Sequence, residues 1–185
     1  MKKSMLLCAM ALFAALNMNA AQGKFIHVDN TTYKNLKPQL AFNQEHQNGE
    51  DVTTLLLWTV NTNQYNEFSE SSRLLVRFSD DSTARLERVP GSDIKKDKWT
   101  TKNGKATMTY YKTITTYKMN MEFTGKLQSG ATIVKLRIVY KDNEAKDYEI
   151  SEGYRQKLRE DLLRSYNEAT DKNRKSTTDL SDEDF

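Results

Sequence analysis

Apolar side chains recur at alternate positions through much of this 185-residue chain, and only near its C-terminus does the spacing lengthen to that of a helix. Leu74, Val76 and Phe78 alternate with Arg77 and Ser79, and Ala84 and Leu86 with Arg85 and Glu87. A period of two puts every second side chain on one face, so each run reads as a half-buried strand. Ser79-Asp80-Asp81-Ser82 between them carries short polar side chains that hydrogen-bond their own backbone, the chemistry of a turn. A two-residue loop at Asp80-Asp81 would pair Phe78 with Thr83 and mix the faces. A three-residue loop, Asp80 to Ser82, pairs Phe78 with Ala84 and Val76 with Leu86 and keeps apolar side chains together, so it is the register expected.

Other segments follow the same logic. Leu55-Leu56-Leu57-Trp58 and Val60 form a continuous apolar stretch, the mark of a strand buried on both faces near the middle of a sheet. Lys24 to Asp29 is a short strand candidate in a polar N-terminal region. Pro90 to Gly104 reads as a lysine-rich loop. After it, Met108, Tyr110 and Ile114 take even positions, whereas Tyr117, Met119, Met121 and Phe123 take odd ones. A change of parity needs an interruption, so a bulge or bend is expected near Thr115-Thr116. Thr124 to Ser129 suits one helical turn ended by a left-handed Gly130. Val134, Leu136, Ile138 and Tyr140 give a further half-buried strand.

The period then changes. Tyr154, Leu158, Leu162 and Tyr166 recur every four residues, with Ala169 extending the stripe and charges on the other faces. Ser151 is the expected N-cap, and Glu152 complements the positive end of the helix. Several antiparallel strands followed by one amphipathic helix predict a mainly β fold, an antiparallel β-sandwich or partly open barrel with one C-terminal helix. Residues 170–185 are poor in apolar side chains and end in Asp179, Asp182, Glu183 and Asp184, the composition of a disordered acidic tail.

The N-terminus changes the picture of location. Lys2 and Lys3 precede an apolar run from Met5 to Leu16, too short for a bilayer span of roughly twenty residues. Small residues at Ala20 and Ala21 offer cleavage sites, so residues 1–20 read as a secretory signal peptide and 21–169 as a single β-rich domain. The expected location is periplasmic or extracellular, and no further apolar stretch approaches spanning length. The only cysteine, Cys8, lies in that leader behind bulky Leu7, a poor context for lipid attachment. The remaining chain has no disulfide framework, zinc-thiolate site or thiol nucleophile. Taking Lys2 and Lys3 from 28 basic residues leaves almost no excess over 25 acidic ones, so attraction to nucleic acid is not implied. Asn30-Thr31-Thr32 is a glycosylation sequon, relevant only in a eukaryotic secretory host.

Two stretches resemble a class of small secreted proteins of unknown function from Gram-negative gut anaerobes. One is Leu74-Leu75-Val76-Arg77-Phe78-Ser79-Asp80-Asp81-Ser82-Thr83; the other is Leu127, Gly130 and Lys135-Leu136-Arg137 before a terminal helix. Such proteins usually have glycine where this chain has Asp81. The resemblance covers about half of the chain beyond the leader and implies a β-sandwich-like fold at the periplasm or cell surface. It carries no catalytic residues across.

Enzyme and metal signatures are sparse. His27 and His46 lie in the polar N-terminal region without metal-ligand spacing, and no cofactor is implied. No G-x-S-x-G, P-loop or dinucleotide glycine pattern occurs. Asp80, Asp81, Asp97 and Glu122 would suit a carboxylate-dependent hydrolase only if two shared a cleft, and the first two already serve a turn. Phe185 ends the chain with an aromatic, but Asp179 to Phe185 lacks the alternation of a barrel's last strand. The segment of most interest holds Lys95, Lys96, Lys98, Lys102 and Lys105 around Trp99. An exposed indole ringed by ammonium groups suits stacking on a sugar ring or a base and holding an anionic substituent, and sulfated or uronic-acid glycans would fit a secreted protein. Against this stands a Trp99 folded back on the sheet with solvated lysines. Tyr110, Tyr111 and Tyr117 divide in the same way between core and platform. The expected role is therefore a non-catalytic binding or interaction module whose partner is a polysaccharide or another envelope protein. A small secreted hydrolase is the alternative, and self-association through an edge strand or the helix stripe is a third possibility.

Overall fold

The computed structural model describes residues 20–29, 36–47, 50–103 and 106–171. The expected leader up to residue 19, the Asn30 sequon, Lys105 and the tail from 172 lie outside the described residues. The fold is mainly β, with antiparallel sheets, one of them curled into a half-barrel, and a C-terminal helix.

The larger sheet contains β1 (Ala20–Gln22), β2 (Ile26–His27), β3 (Gln39–Gln47), β4 (Glu50–Asn61), β7 (Lys95–Asn103) and β8 (Ala106–Lys118). Its order is β1-β3-β4-β8-β7, with β2 sharing the β1 edge of β3. The smaller sheet runs β10 (Ala145–Glu149), β9 (Ile133–Val139), β5 (Arg73–Phe78), β6 (Thr83–Glu87). Among the described residues two α-helices, α1 (Met121–Gln128) and α2 (Glu152–Thr170), accompany the sheets. One hydrophobic cluster joins both sheets and both helices: Leu40, Phe42, Leu55, Leu57, Leu74, Phe78, Tyr117, Phe123, Leu136 and Leu158 all belong to it. Burial of apolar side chains of this size, each worth about 1.5–3 kcal/mol, holds the layers together.

Leu55, Leu56 and Leu57 are all buried because β4 lies between β3 and β8 with both faces covered. The hairpin β5–β6 has a three-residue loop, but it is Ser79-Asp80-Asp81 rather than Asp80 to Ser82. Val76 consequently pairs with Ala84, and Leu74 with Leu86. The face is the expected one and the register is displaced by two. The displacement follows from Asp81, which adopts φ 63° and donates its N–H to the Phe78 carbonyl, while Phe78 N–H bonds Ser82 O. A turn closed by a left-handed third residue sets that alignment.

Three further expectations are corrected. Residues 95–103 form strand β7, not a loop; the strand lacks apolar alternation because neither of its faces is buried. No bulge interrupts β8 at Thr115-Thr116: its pairing with β4 runs unbroken from Thr54↔Lys118 to Asn61↔Tyr111. Thr113, Thr115 and Tyr117 face the core, and Tyr110 and Ile114 point the other way, so the two apolar parities are two faces of one strand. Met121 and Phe123 belong to α1, whose N-cap is Asn120, with Phe123 N–H donating to Asn120 Oδ1 at 2.8 Å. Gly130 beyond this helix is left-handed, φ 103°. Ser151 is the N-cap residue of α2, as expected, although its side chain makes no cap bond; α2 buries Tyr154, Leu158, Leu162, Ser165 and Ala169.

The sheets meet at a corner where Arg88 bridges Tyr117 and Val89 N–H bonds Thr116 O. From that corner the β7–β8 hairpin extends past the core. No side chain described between Lys95 and Lys112 is buried.

Candidate functional site

The alternation of β7 decides how the expected site residues are arranged. Lys95, Asp97, Trp99 and Thr101 lie on one face of the hairpin; Lys96, Lys98, Thr100 and Lys102 lie on the other. The lysines are therefore not a ring around Trp99. Of the four described lysines of β7, one, Lys95, shares its face, about four residues or ~13 Å along the strand. All four described lysines of this segment are exposed, as a strand at the edge of a sheet requires to resist pairing with other chains.

On the first face Trp99 pairs directly with Tyr110. Their rings stack with centroids 5.1 Å apart and planes 16° from parallel, and both side chains remain half-exposed. Thr101 and Met108 sit beyond them, Met108 48% exposed, so the pair stands on an open surface rather than against a core. Toward the body of the sheet Asp97 pairs with Lys112. The Lys112 ammonium lies 4.0 Å over the Trp58 ring, which meets Phe25 edge-on at 5.3 Å. Burial pushes the Lys112 amine below its ordinary range, with Asp97 opposing. This face thus carries an aromatic pair at its tip and a cation-capped aromatic pair nearer the body.

The second face leads elsewhere. Lys96 Nζ bonds Glu67 at 2.7 Å and lies 5.4 Å from the Tyr65 ring. Tyr65 meets Tyr111 edge-on at 5.1 Å. Tyr65 and Glu67 come from the connection after β4, where alternation stops, so sequence periodicity could not place them beside β7.

The chain matches no protein-family model, no curated protein and no solved structure. The chemistry of the site therefore rests on its residues alone.

The acids are dispersed. Asp80 bonds Lys126 at 2.7 Å and the Ser82 hydroxyl at 2.5 Å, and Lys126 first, then Ser82, hold its carboxyl down at about 2. Asp81 pairs with Arg77 at 2.6 Å. Asp97 accepts the Lys98 N–H at 2.8 Å on the hairpin, and Glu122 is exposed in the first turn of α1. His46 pairs with Asp51 at 3.0 Å, whereas His27 aligns with Gln39, seven positions away along β3. Among the described residues no three His, Cys, Asp or Glu side chains gather as a metal site.

Proposed function

We propose that this is a secreted, non-catalytic module of the cell envelope that binds polysaccharide through the projecting β7–β8 hairpin. One observation carries the reading: Trp99 and Tyr110 are stacked, both half-exposed, on a stretch of hairpin where no described side chain is buried. Two rings held against each other are rigid, so little side-chain entropy is lost when a sugar's C–H face packs on them. Lys95 and Lys112 on the same face would favour a glycan carrying carboxylate or sulfate groups. Secretion is supported by the basic, apolar and small-residue order of residues 1–20. No helix among the described residues is long and apolar enough to cross a membrane.

A glycan screen of wild type against Trp99→Ala tests the reading. Binding by wild type that falls about tenfold or more in the variant, a loss of about 1.4 kcal/mol, supports it. Wild type that binds no glycan removes the carbohydrate version.

The alternative, a carboxylate-dependent hydrolase, asks for an acid protonated near neutral pH beside a second one. Asp80, held at about 2, and Asp81, paired with Arg77, are fitted to a turn instead. A second structural reading has its own observation: a cross-strand stack such as Trp99–Tyr110 also stabilises a hairpin by about 0.5–1.5 kcal/mol beyond its buried area. Intact glycan binding by a destabilised Trp99→Ala would favour that reading.

A further inference from the structure

On the Lys96 side of the hairpin, the connection after β4 and the β9–β10 turn border an open groove of about 440 Å³. That volume falls within the ~300–1,000 Å³ usual for small-ligand sites. We propose that this groove is a separate binding site for a neutral, hydroxyl-rich ligand, one or two sugar residues in size.

The walls are pre-formed. Asn61 Nδ2 donates to Asn66 Oδ1 at 3.3 Å, Asn63 N–H donates to Asn61 Oδ1 at 3.1 Å, and Lys141 N–H bonds Glu67 O at 3.0 Å, tying one wall to the other. The opposite wall is a tight turn whose Asp142 and Asn143 both adopt left-handed φ, 58° and 61°. Asp and Asn are the residues that tolerate this geometry, so the turn is fixed by its own chemistry. The Tyr65 ring is held by Tyr111 and by the Lys96 ammonium. Buried Tyr140, packed on Phe68 at 5.1 Å between centroids, contributes an apolar surface.

Charge selects the ligand class. Glu67 is neutralised by Lys96. That leaves Lys141 and Lys146 against Asp142 and Glu144, two cations facing two anions. A groove balanced in this way gives no net attraction to a phosphate, sulfate or ammonium compound. Its lining is too polar for an apolar ligand, which needs a mainly hydrophobic cavity. The carboxamides of Gln64 and Asn66 and the carboxylates of Asp142 and Glu144 instead present paired donors and acceptors. These suit vicinal hydroxyl groups, while the tyrosine surfaces suit the C–H face of a pyranose. The inference is independent of the Trp99–Tyr110 surface, which lies on the other side of the hairpin.

The test is a backbone-amide NMR titration of the mature protein with maltose, cellobiose, N-acetylglucosamine and, as charged control, glucuronate. The proposal expects at least one neutral sugar to shift the amides of Tyr65, Lys141 and Ala145, with little change at high salt. Gln64→Ala, an exposed substitution, should weaken that binding about tenfold while leaving distant amides unmoved. Trp99→Ala should leave it intact. No groove shift with any neutral sugar, shifts produced only by glucuronate and erased by salt, or shifts unaffected by Gln64→Ala would each overturn it.

Discussion

The Ser165 hydroxyl of α2 accepts a hydrogen bond from the Phe42 N–H of β3 at 3.3 Å. It also donates to the Lys24 carbonyl at 2.9 Å, filling the gap between β1 and β2 on the edge of β3. A helix side chain thus completes a sheet ladder. Ser165→Ala leaves a buried N–H without its partner, which costs about 1–3 kcal/mol. Gly23 lies against the same turn, and a Cβ there would collide with the Ser165 carbonyl and hydroxyl oxygens. Urea denaturation should therefore rank Gly23→Ala as more destabilising than Ser165→Ala. The reverse order, or a silent Gly23→Ala, would contradict the packing of α2 on this edge.

At the corner between the sheets, the Arg88 side chain is 4% exposed and bonds Glu70 at 3.0 Å, Thr115 Oγ1 at 3.2 Å and the Ser92 carbonyl. Its carboxylate partner is 64% exposed. Removing the acid strands a buried cation, whereas removing the cation leaves an acid already in water. Glu70→Ala should accordingly destabilise the fold more than Arg88→Met, by unfolding midpoint. Equal or opposite ranking would show that Thr115 and Ser92 alone satisfy the guanidinium.

Stability should fall on both flanks of pH. Lys126 and Ser82 hold Asp80 at about 2, and Arg137 followed by Lys135 holds Asp147 below its ordinary range. For a lowered carboxyl the stabilisation is complete above its unfolded value near 3.8 and lost as pH falls toward the folded one. The acid decline should lie between about pH 4 and 2 and flatten in Asp147→Asn. Burial pushes the Tyr117 and Tyr140 hydroxyls upward. A raised tyrosine stabilises below its unfolded value of 10.0 and loses that contribution as pH climbs above it. Urea midpoints measured across pH check both limbs, and an acid limb starting above pH 5 would assign it to other groups.

Cleavage of the proposed leader after Ala20 would preserve the pairing of Ala21 with Gln44 and Gln22 with Asn43; cleavage after Ala21 would leave only Gln22 of β1. The mature protein, taken from the envelope fraction, should begin at Ala21 by intact mass. An uncleaved cytosolic chain would remove the proposed location.

The faces of the strands were legible because Leu74, Val76, Phe78, Ala84 and Leu86 have only one side on which to be buried. Register was less so. Parity follows from burial, but the two-residue displacement at Ser79-Asp80-Asp81 depends on the left-handed Asp81, which periodicity does not encode. Strand β7 was illegible because it buries neither face, so Lys95 to Asn103 carries no alternating signal. A loop there would let the lysines surround Trp99, whereas an extended strand sends Lys96, Lys98 and Lys102 to the opposite side. Tyr110 was visible as an ambiguous aromatic; Tyr65 was not, since its position depends on how the connection after β4 folds back toward β8.

The most direct test of the account is equilibrium binding of the mature protein to a glycan panel, with Trp99→Ala and Tyr110→Ala alongside. The account predicts that wild type retains at least one polysaccharide, and that each substitution weakens it about tenfold while the core stays folded by circular dichroism. Undiminished binding by both folded variants, or none by wild type, would contradict it.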